Sequence, residues 1–170
     1  MSPDNPLPFA SHLPQVPPRV RLLPSDPPAF RARARSCAAM LEALAASSPP
    51  VRFDHGLCQA CAYPTCEGPY EMCSVCYWED DPVAAEQPAE PVGGPNGPTS
   101  LVEAREHLER YGSMFAPDDP YPADYARAQA TQADRRRLAA CYDRLIGAGS
   151  DADRHADAED CLRAERGTCE

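Results

Sequence analysis

Residues 57–81 read LCQACAYPTCEGPYEMCSVCYWEDD. Two C-x2-C pairs lie in this stretch, Cys58 with Cys61 and Cys73 with Cys76, and eleven residues separate them. A two-residue spacer lets both thiolates of one tight turn face a single ion. A second pair at hairpin distance completes a tetrahedral set at ~2.3 Å Zn–S. Cys58, Cys61, Cys73 and Cys76 are therefore the expected ligands of a structural Zn²⁺, with iron the less favoured metal. The expected hairpin has Glu67, Gly68 and Pro69 at its tip, with Tyr63 and Tyr70 as strand residues. His55, three residues before Cys58, is an alternative ligand, but a solvated or supporting role fits it better. Cys66 is a spare thiol beside the set. No βαβ pattern surrounds either pair, which argues against a thioredoxin-like site.

The composition around this stretch shows why a staple is needed. The chain has 170 residues, and Leu, Ile, Val and Phe together supply 24 of them, or 14%. That lies below the ~20% under which charged chains tend toward disorder. Of the apolar residues, 28 are Ala, and 21 Pro interrupt regular structure. A small folded centre with loose ends follows, and small centres lean on metals or cross-links. The start of the sequence shows no secretory signal, and no apolar run approaches ~18 residues. A cytoplasmic, membrane-free protein is expected, in which thiols stay reduced and a regular Cys pattern reads as metal ligation. All 16 basic residues are Arg; with one Ile and 28 Ala this points to a GC-rich genome.

The flanks divide by their punctuation. Residues 1–28 carry nine Pro and read as an extended arm. Residues 29–52 read as an amphipathic helix with Phe30, Ala34, Cys37, Leu41 and Leu44 on one face, capped by Ser25 or Asp26. Arg31, Arg33 and Arg35 fall off that stripe and read as a solvated face. Residues 53–116 form the metal domain. Within it 82–98 reads as a loop, and its GGPNG run (93–97) as a tight turn rather than a phosphate cradle. Ser100 and Glu103 form a capping box for a helix bearing Leu101, Ala104, Leu108 and Tyr111, stopped by Gly112. Residues 117–147 read as helical, with Thr131 as a second cap and Leu138, Cys141, Tyr142 and Leu145 as the buried face. Residues 148–170 carry almost no large apolar side chain and read as a flexible acidic tail. Cys37 and Cys141 are expected to act as small hydrophobes, Cys161 and Cys169 as free thiols of the tail. The expected fold is α+β, a small zinc-ribbon or knuckle hairpin with four cysteine ligands, packed with α-helices.

The run from Cys58 to Tyr111 resembles the CPCC family of cysteine-rich bacterial proteins. The resemblance rests on CQACAYPT…YEMCSVC, on YWEDD (77–81), and on GGPNG followed by SLVEAREHLERYG (100–112). It implies a zinc-ribbon-like fold and covers about a third of the chain. Gln59 stands in place of the family's Pro, Ala60 in place of its extra Cys, Ala62 in place of a Gly that permits positive φ, and Ser74 in place of a second Pro. These departures imply some strain at the knuckles and weaker metal retention. Some such proteins sit near toxin or phage-defence genes, which implies an immunity or accessory role.

Charge sets the expected partner. The net charge is -10. Residues 53–104 hold nine acidic side chains and no Arg, so -9 falls on the Cys-rich middle. Nucleic acid would need basic side chains on the ribbon; only Arg31, Arg33 and Arg35 and Arg135, Arg136 and Arg137 are placed to supply them. A non-enzymatic module that docks a basic protein fits better. Trp78 with Glu79, Asp80 and Asp81 is the candidate patch, an aromatic anchor with an acidic rim; core burial is the competing role of Trp78. A nucleic-acid-binding ribbon, and a thiol redox or metal-responsive switch using Cys66, are the alternatives. Neither a nucleophile–base pair nor a phosphate loop is visible, and four protein ligands leave a zinc ion no open position.

Overall fold

The computed structural model describes residues 20–51, 53, 55–66, 68–118 and 132–168. Most of the Pro-rich arm, Glu67, Thr131, the segment 119–131 and Cys169 lie outside the described residues. The order is α1 (Pro28–Ala46), β1 (Gly56–Leu57), β2 (Pro64–Cys66), α2 (Pro82–Glu86), a 3-10 turn (Gly94–Asn96), α3 (Leu101–Tyr111), α4 (Gln132–Gly147) and α5 (Asp151–Thr168). The fold is α+β, with helices packed around a minimal antiparallel ribbon.

Helix α1 opens on Pro28, where the missing N–H has no intrahelical partner to lose. Its buried residues are Phe30, Ala34, Cys37, Met40 and Leu44. Met40 takes the core position expected for Leu41, which is half-buried. The expected caps do not form. Pro27 is the N-cap residue and no side chain caps the helix. Asp26 is instead buried, accepting a hydrogen bond from the Leu23 amide at 2.6 Å and pairing with Arg105.

The hairpin differs from the one expected. β1 and β2 pair antiparallel through Gly56↔Cys66 and Leu57↔Pro64. They therefore enclose the first C-x2-C turn. The second turn is enclosed by its own small ribbon, closed by the Met72↔Glu79 bridge. Gly68 and Pro69 join the two ribbons rather than tipping one hairpin, and Tyr70 begins the second. The physical reason is that each pair builds its own turn, since the ligands must approach the ion from two chain reversals.

Residues 82–98 are more ordered than a loop. Asp81 caps α2 by accepting the Val83 amide at 2.7 Å. α3 carries the full capping box between Ser100 and Glu103, and Gly112 ends it at φ 72, where a Cβ would be strained. Arg105 is buried on α3, against expectation for a charged side chain.

The largest correction is at the C-terminal end. The expected tail contains an 18-residue helix, α5, joined to α4 by three residues. Ser150 accepts the Asp153 amide at 3.2 Å at its start. The helix buries Ala158 and Cys161, so Cys161 is a core thiol. Polar groups dock the rest of it. Tyr142 on α4 donates to Glu165, and His155 meets Ser47 Oγ at 2.9 Å. The helix is hard to read from sequence because its buried face is made of small and polar residues.

One cluster of buried side chains joins α1, both ribbons, α3, α4 and α5. Trp78, Leu101, Met114, Leu138, Tyr142 and Leu145 are its large members. Among the described residues, no helix is long and apolar enough to cross a membrane.

Candidate metal centre

Each C-x2-C pair sits in the same local turn. The amide after the second Cys returns to the first: Ala62 N donates to Cys58 O at 2.8 Å, and Tyr77 N to Cys73 O at 3.0 Å. One residue further on, the strands close, with Cys58 N donating to Tyr63 O at 2.9 Å and Cys73 N to Trp78 O at 2.8 Å. The matching residues Ala62 and Tyr77 have φ 66 and φ 67, the left-handed region. Neither is Gly, so both carry the strain expected of a Cβ there. The two turns are thus repeats of one knuckle, facing each other.

That pairing brings the four Sγ atoms of Cys58, Cys61, Cys73 and Cys76 within 4.8 Å of one another, all buried. Across the two knuckles Cys58 and Cys76 lie 3.6 Å apart, and Cys61 and Cys73 3.5 Å. A tetrahedron with ~2.3 Å Zn–S has edges of about 3.8 Å. The donor set and its spacing fit one tetrathiolate-bound dication. His55 is not in the set; its Nδ1 lies 3.3 Å from Glu165 Oε2.

The surroundings favour thiolate at two positions. Burial alone would raise every thiol. At Cys58, hydrogen bonds from Cys61, Cys66 and Cys76 outweigh it and bring the thiol down to about 6. Cys73 is held well below its ordinary value against burial by the neighbouring thiols. Its Sγ also lies 2.9 Å from Thr65 Oγ1 and 3.4 Å from the Val75 and Cys76 amides. Cys61 and Cys76 are pushed up, first by burial and then by their thiol neighbours. A dication would displace the remaining protons and hold all four as thiolates. Cys66, the last residue of β2, is buried, and its neighbours Cys58 and Cys73 push its thiol up.

Asn96 locks the second ribbon from outside. Its Oδ1 accepts the Glu79 amide at 2.9 Å and its Nδ2 donates to Glu79 O at 3.0 Å. Glycines at 93, 94 and 97 have φ of 78, 62 and 60 and fold GGPNG so that this side chain points inward. The motif is a latch on the ribbon edge, and Asn between glycines is its only sequence signal.

The expected docking patch is redistributed. Trp78 is fully buried and covers the knuckles as core. Glu79 is clasped by Asn96, and Asp81 caps α2. Asp80 is half-buried, and burial together with the Cys58 and Cys73 thiolates pushes its carboxyl up to about 7. The exposed apolar side chains of this region are Tyr70 (63%), Met72 (43%) and Val83 (45%). Two of the arginines placed to supply charge for nucleic acid turn inward. Arg33 donates to Cys61 O at 2.7 Å and to Glu109 at 2.6 Å, and Arg135 donates to Val75 O at 2.8 Å.

No curated protein and no solved structure matches the chain. A family model described as Cysteine-rich CPCC matches residues 56–119. The match spans both knuckles, the Asn96 latch and α3. Residues 56–119 of this chain, which hold the four cysteines placed to bind a metal ion, are thus similar to the cysteine-rich CPCC family.

Proposed function

We infer that the chain is a zinc-stapled, non-enzymatic binding module that docks a basic protein partner through the second ribbon. The observation that carries this reading is the pairing of exposed apolar groups with acid. Tyr70 and Met72 stand two residues apart on one arm of the ribbon, and Val83 lies in the first turn of the short helix that continues the other arm. Glu71 and Glu86 are exposed beside them, and no Arg lies between residues 53 and 104. An apolar centre with an acidic rim suits a partner that presents a hydrophobic anchor within a basic surface. A basic toxin is a partner of that chemistry, and an immunity or accessory role toward one follows from it. The reduced thiols suit a cytoplasmic setting. With four Cys on one zinc the ion has no open position for a substrate, so its role is structural.

Nucleic acid is the less favoured partner, because Arg33, Arg105 and Arg135 spend their donors inside the protein. Affinity capture from the native host, run in parallel with Tyr70→Ser/Met72→Ser and Glu71→Lys/Glu86→Lys, tests the reading. The expected result is a basic protein held by the wild type and lost from both variants. Capture indifferent to both, or tight salt-sensitive binding of nucleic acid in a gel shift, overturns it. Metal analysis of the purified protein tests the zinc assignment; iron in its place would correct it.

A further inference from the structure

Three arginines from three different helices converge on the two knuckles. Arg33 of α1 places Nε on Cys61 O at 2.7 Å. Arg105 of α3 places Nε on Gln59 O at 3.0 Å. Arg135 of α4 places a terminal nitrogen on Val75 O at 2.8 Å. All three carbonyls belong to residues of a C-x2-C turn. Each guanidinium also lies over an aromatic ring: Arg33 over Tyr63 at 5.2 Å, Arg105 over Phe30 at 4.3 Å, and Arg135 over Tyr77 at 5.1 Å. Two are aimed by a carboxylate on the far side, Arg33 by Glu109 and Arg105 by Asp26, both at 2.6 Å.

This repetition has a physical logic. In the second knuckle, the amides of Val75 and Cys76 point inward at the Cys73 sulfur, while the Val75 carbonyl is met by a guanidinium. A buried carbonyl needs a donor, and a charged donor is the strongest kind. Arg supplies a rigid fork that can hold a carbonyl with one nitrogen and a carboxylate with another, which a Lys ammonium cannot reproduce. Each cation also lies near a cysteine of the set, whose sulfur would stabilise it once metal-bound as thiolate: Cys61 for Arg33, Cys58 for Arg105, Cys76 and Cys73 for Arg135. Four thiolates around a dication leave a net charge of -2, and cations placed one peptide away lower the cost of burying it.

We propose that Arg33, Arg105 and Arg135 are the positioning residues of the metal centre, each fixing one knuckle carbonyl so that the four sulfurs keep their mutual spacing. This rests on the reading that the cysteine cluster holds a dication. Groups that orient metal ligands from outside typically account for roughly 10- to 100-fold in affinity.

The test uses the full chain, as wild type and as Arg33→Gln, Arg33→Lys and Arg135→Gln. Zinc affinity is measured by competition with a chromophoric chelator, and the visible spectrum is recorded at saturating Co²⁺. Arg33→Gln and Arg135→Gln should each weaken zinc binding by roughly 10- to 100-fold. Their cobalt-saturated spectra should depart from that of the wild type, because ligand geometry has changed. Arg33→Lys, which keeps a cationic donor, should recover part of the affinity. Arg33 has a side chain 16% exposed, so its variants keep the test decisive where Arg135→Gln fails to fold. Affinities within about twofold of wild type overturn the proposal. So does an affinity loss with an unchanged cobalt spectrum and no recovery by Lys, which would mark a general loss of stability. A wild type that binds neither metal overturns the four-thiolate reading as well.

Discussion

The pair between Asp26 and Arg105 should dominate stability outside the metal centre. Both side chains are essentially shielded from solvent, at 0% and 1% exposure, with NH1 and Oδ1 2.6 Å apart. Asp26→Ala would leave a guanidinium buried against Phe30 with no carboxylate facing it. Leaving one charge of a buried pair uncompensated costs about 3–5 kcal/mol. That is a large share of the ~5–15 kcal/mol available to a domain. Arg105→Met should cost a similar amount, since it strands the Asp26 carboxylate and removes the donor to Gln59 O. The double variant Asp26→Leu/Arg105→Met strands no charge. Its residual loss is mainly the unpaired Gln59 carbonyl, about 1–3 kcal/mol, with a smaller cost for the half-buried Leu23 amide that Asp26 had accepted. Urea unfolding at fixed, saturating zinc should therefore show the double variant more stable than the sum of the singles predicts, by about 4–5 kcal/mol from the middle of these ranges. A cost below about 1 kcal/mol for Asp26→Ala, or strictly additive singles, would refute the reasoning.

Four further outcomes follow from three single sites. Ala62→Gly should be near neutral in thermal melts: it relieves about 1–2 kcal/mol of left-handed strain but removes a methyl buried against Phe30 and loosens the unfolded chain, at a similar combined cost. Ala62→Val should be clearly destabilising, because a branched Cβ fits that backbone poorly. Tyr142→Phe removes the hydroxyl that donates to Glu165 and to Pro64 O at 3.1 Å. It should cost about 1–3 kcal/mol, with hydrogen exchange in α5 rising first. The Ser100 amide and hydroxyl hold the Glu103 carboxyl below its ordinary value. A lowered carboxyl contributes stability above its unfolded value and loses it as pH falls through the folded one. Acid titrations followed by circular dichroism should show Glu103→Gln losing less stability than the wild type on the acid side.

The legible parts of this protein are those where short-range chemistry decides. The C-x2-C spacing sets one tight turn per pair, and the structure places all four cysteines together. The capping box at Ser100 and the stop at Gly112 are local hydrogen-bond rules, and both hold. The face of α1 is readable from its period, with Met40 in place of Leu41 as the one exchange. What is not legible depends on partners distant in sequence. Asp26 reads as a helix cap until Arg105, 79 residues on, takes its carboxylate. Trp78 beside three acids reads either as core or as an exposed anchor until its full burial, in one cluster with Leu101, Met114 and the cysteines, decides for core. α5 has too little apolar surface to announce a packed helix. Its docking rests on Tyr142 and Ser47, which lie 23 and 108 residues from the side chains they meet.

The sequence by itself therefore determined which four cysteines cluster, the α+β class and the acidic character of the ribbon. Those follow from residue type and from spacings of two to four. Only the tertiary structure decided which arginines face inward. Arg31, Arg33 and Arg35 are equivalent as letters, yet only Arg33 is shown to meet a knuckle carbonyl. A guanidinium becomes internal when a buried carbonyl, a ring and a carboxylate meet at its tip, and that meeting is made by packing, not by neighbours in the chain.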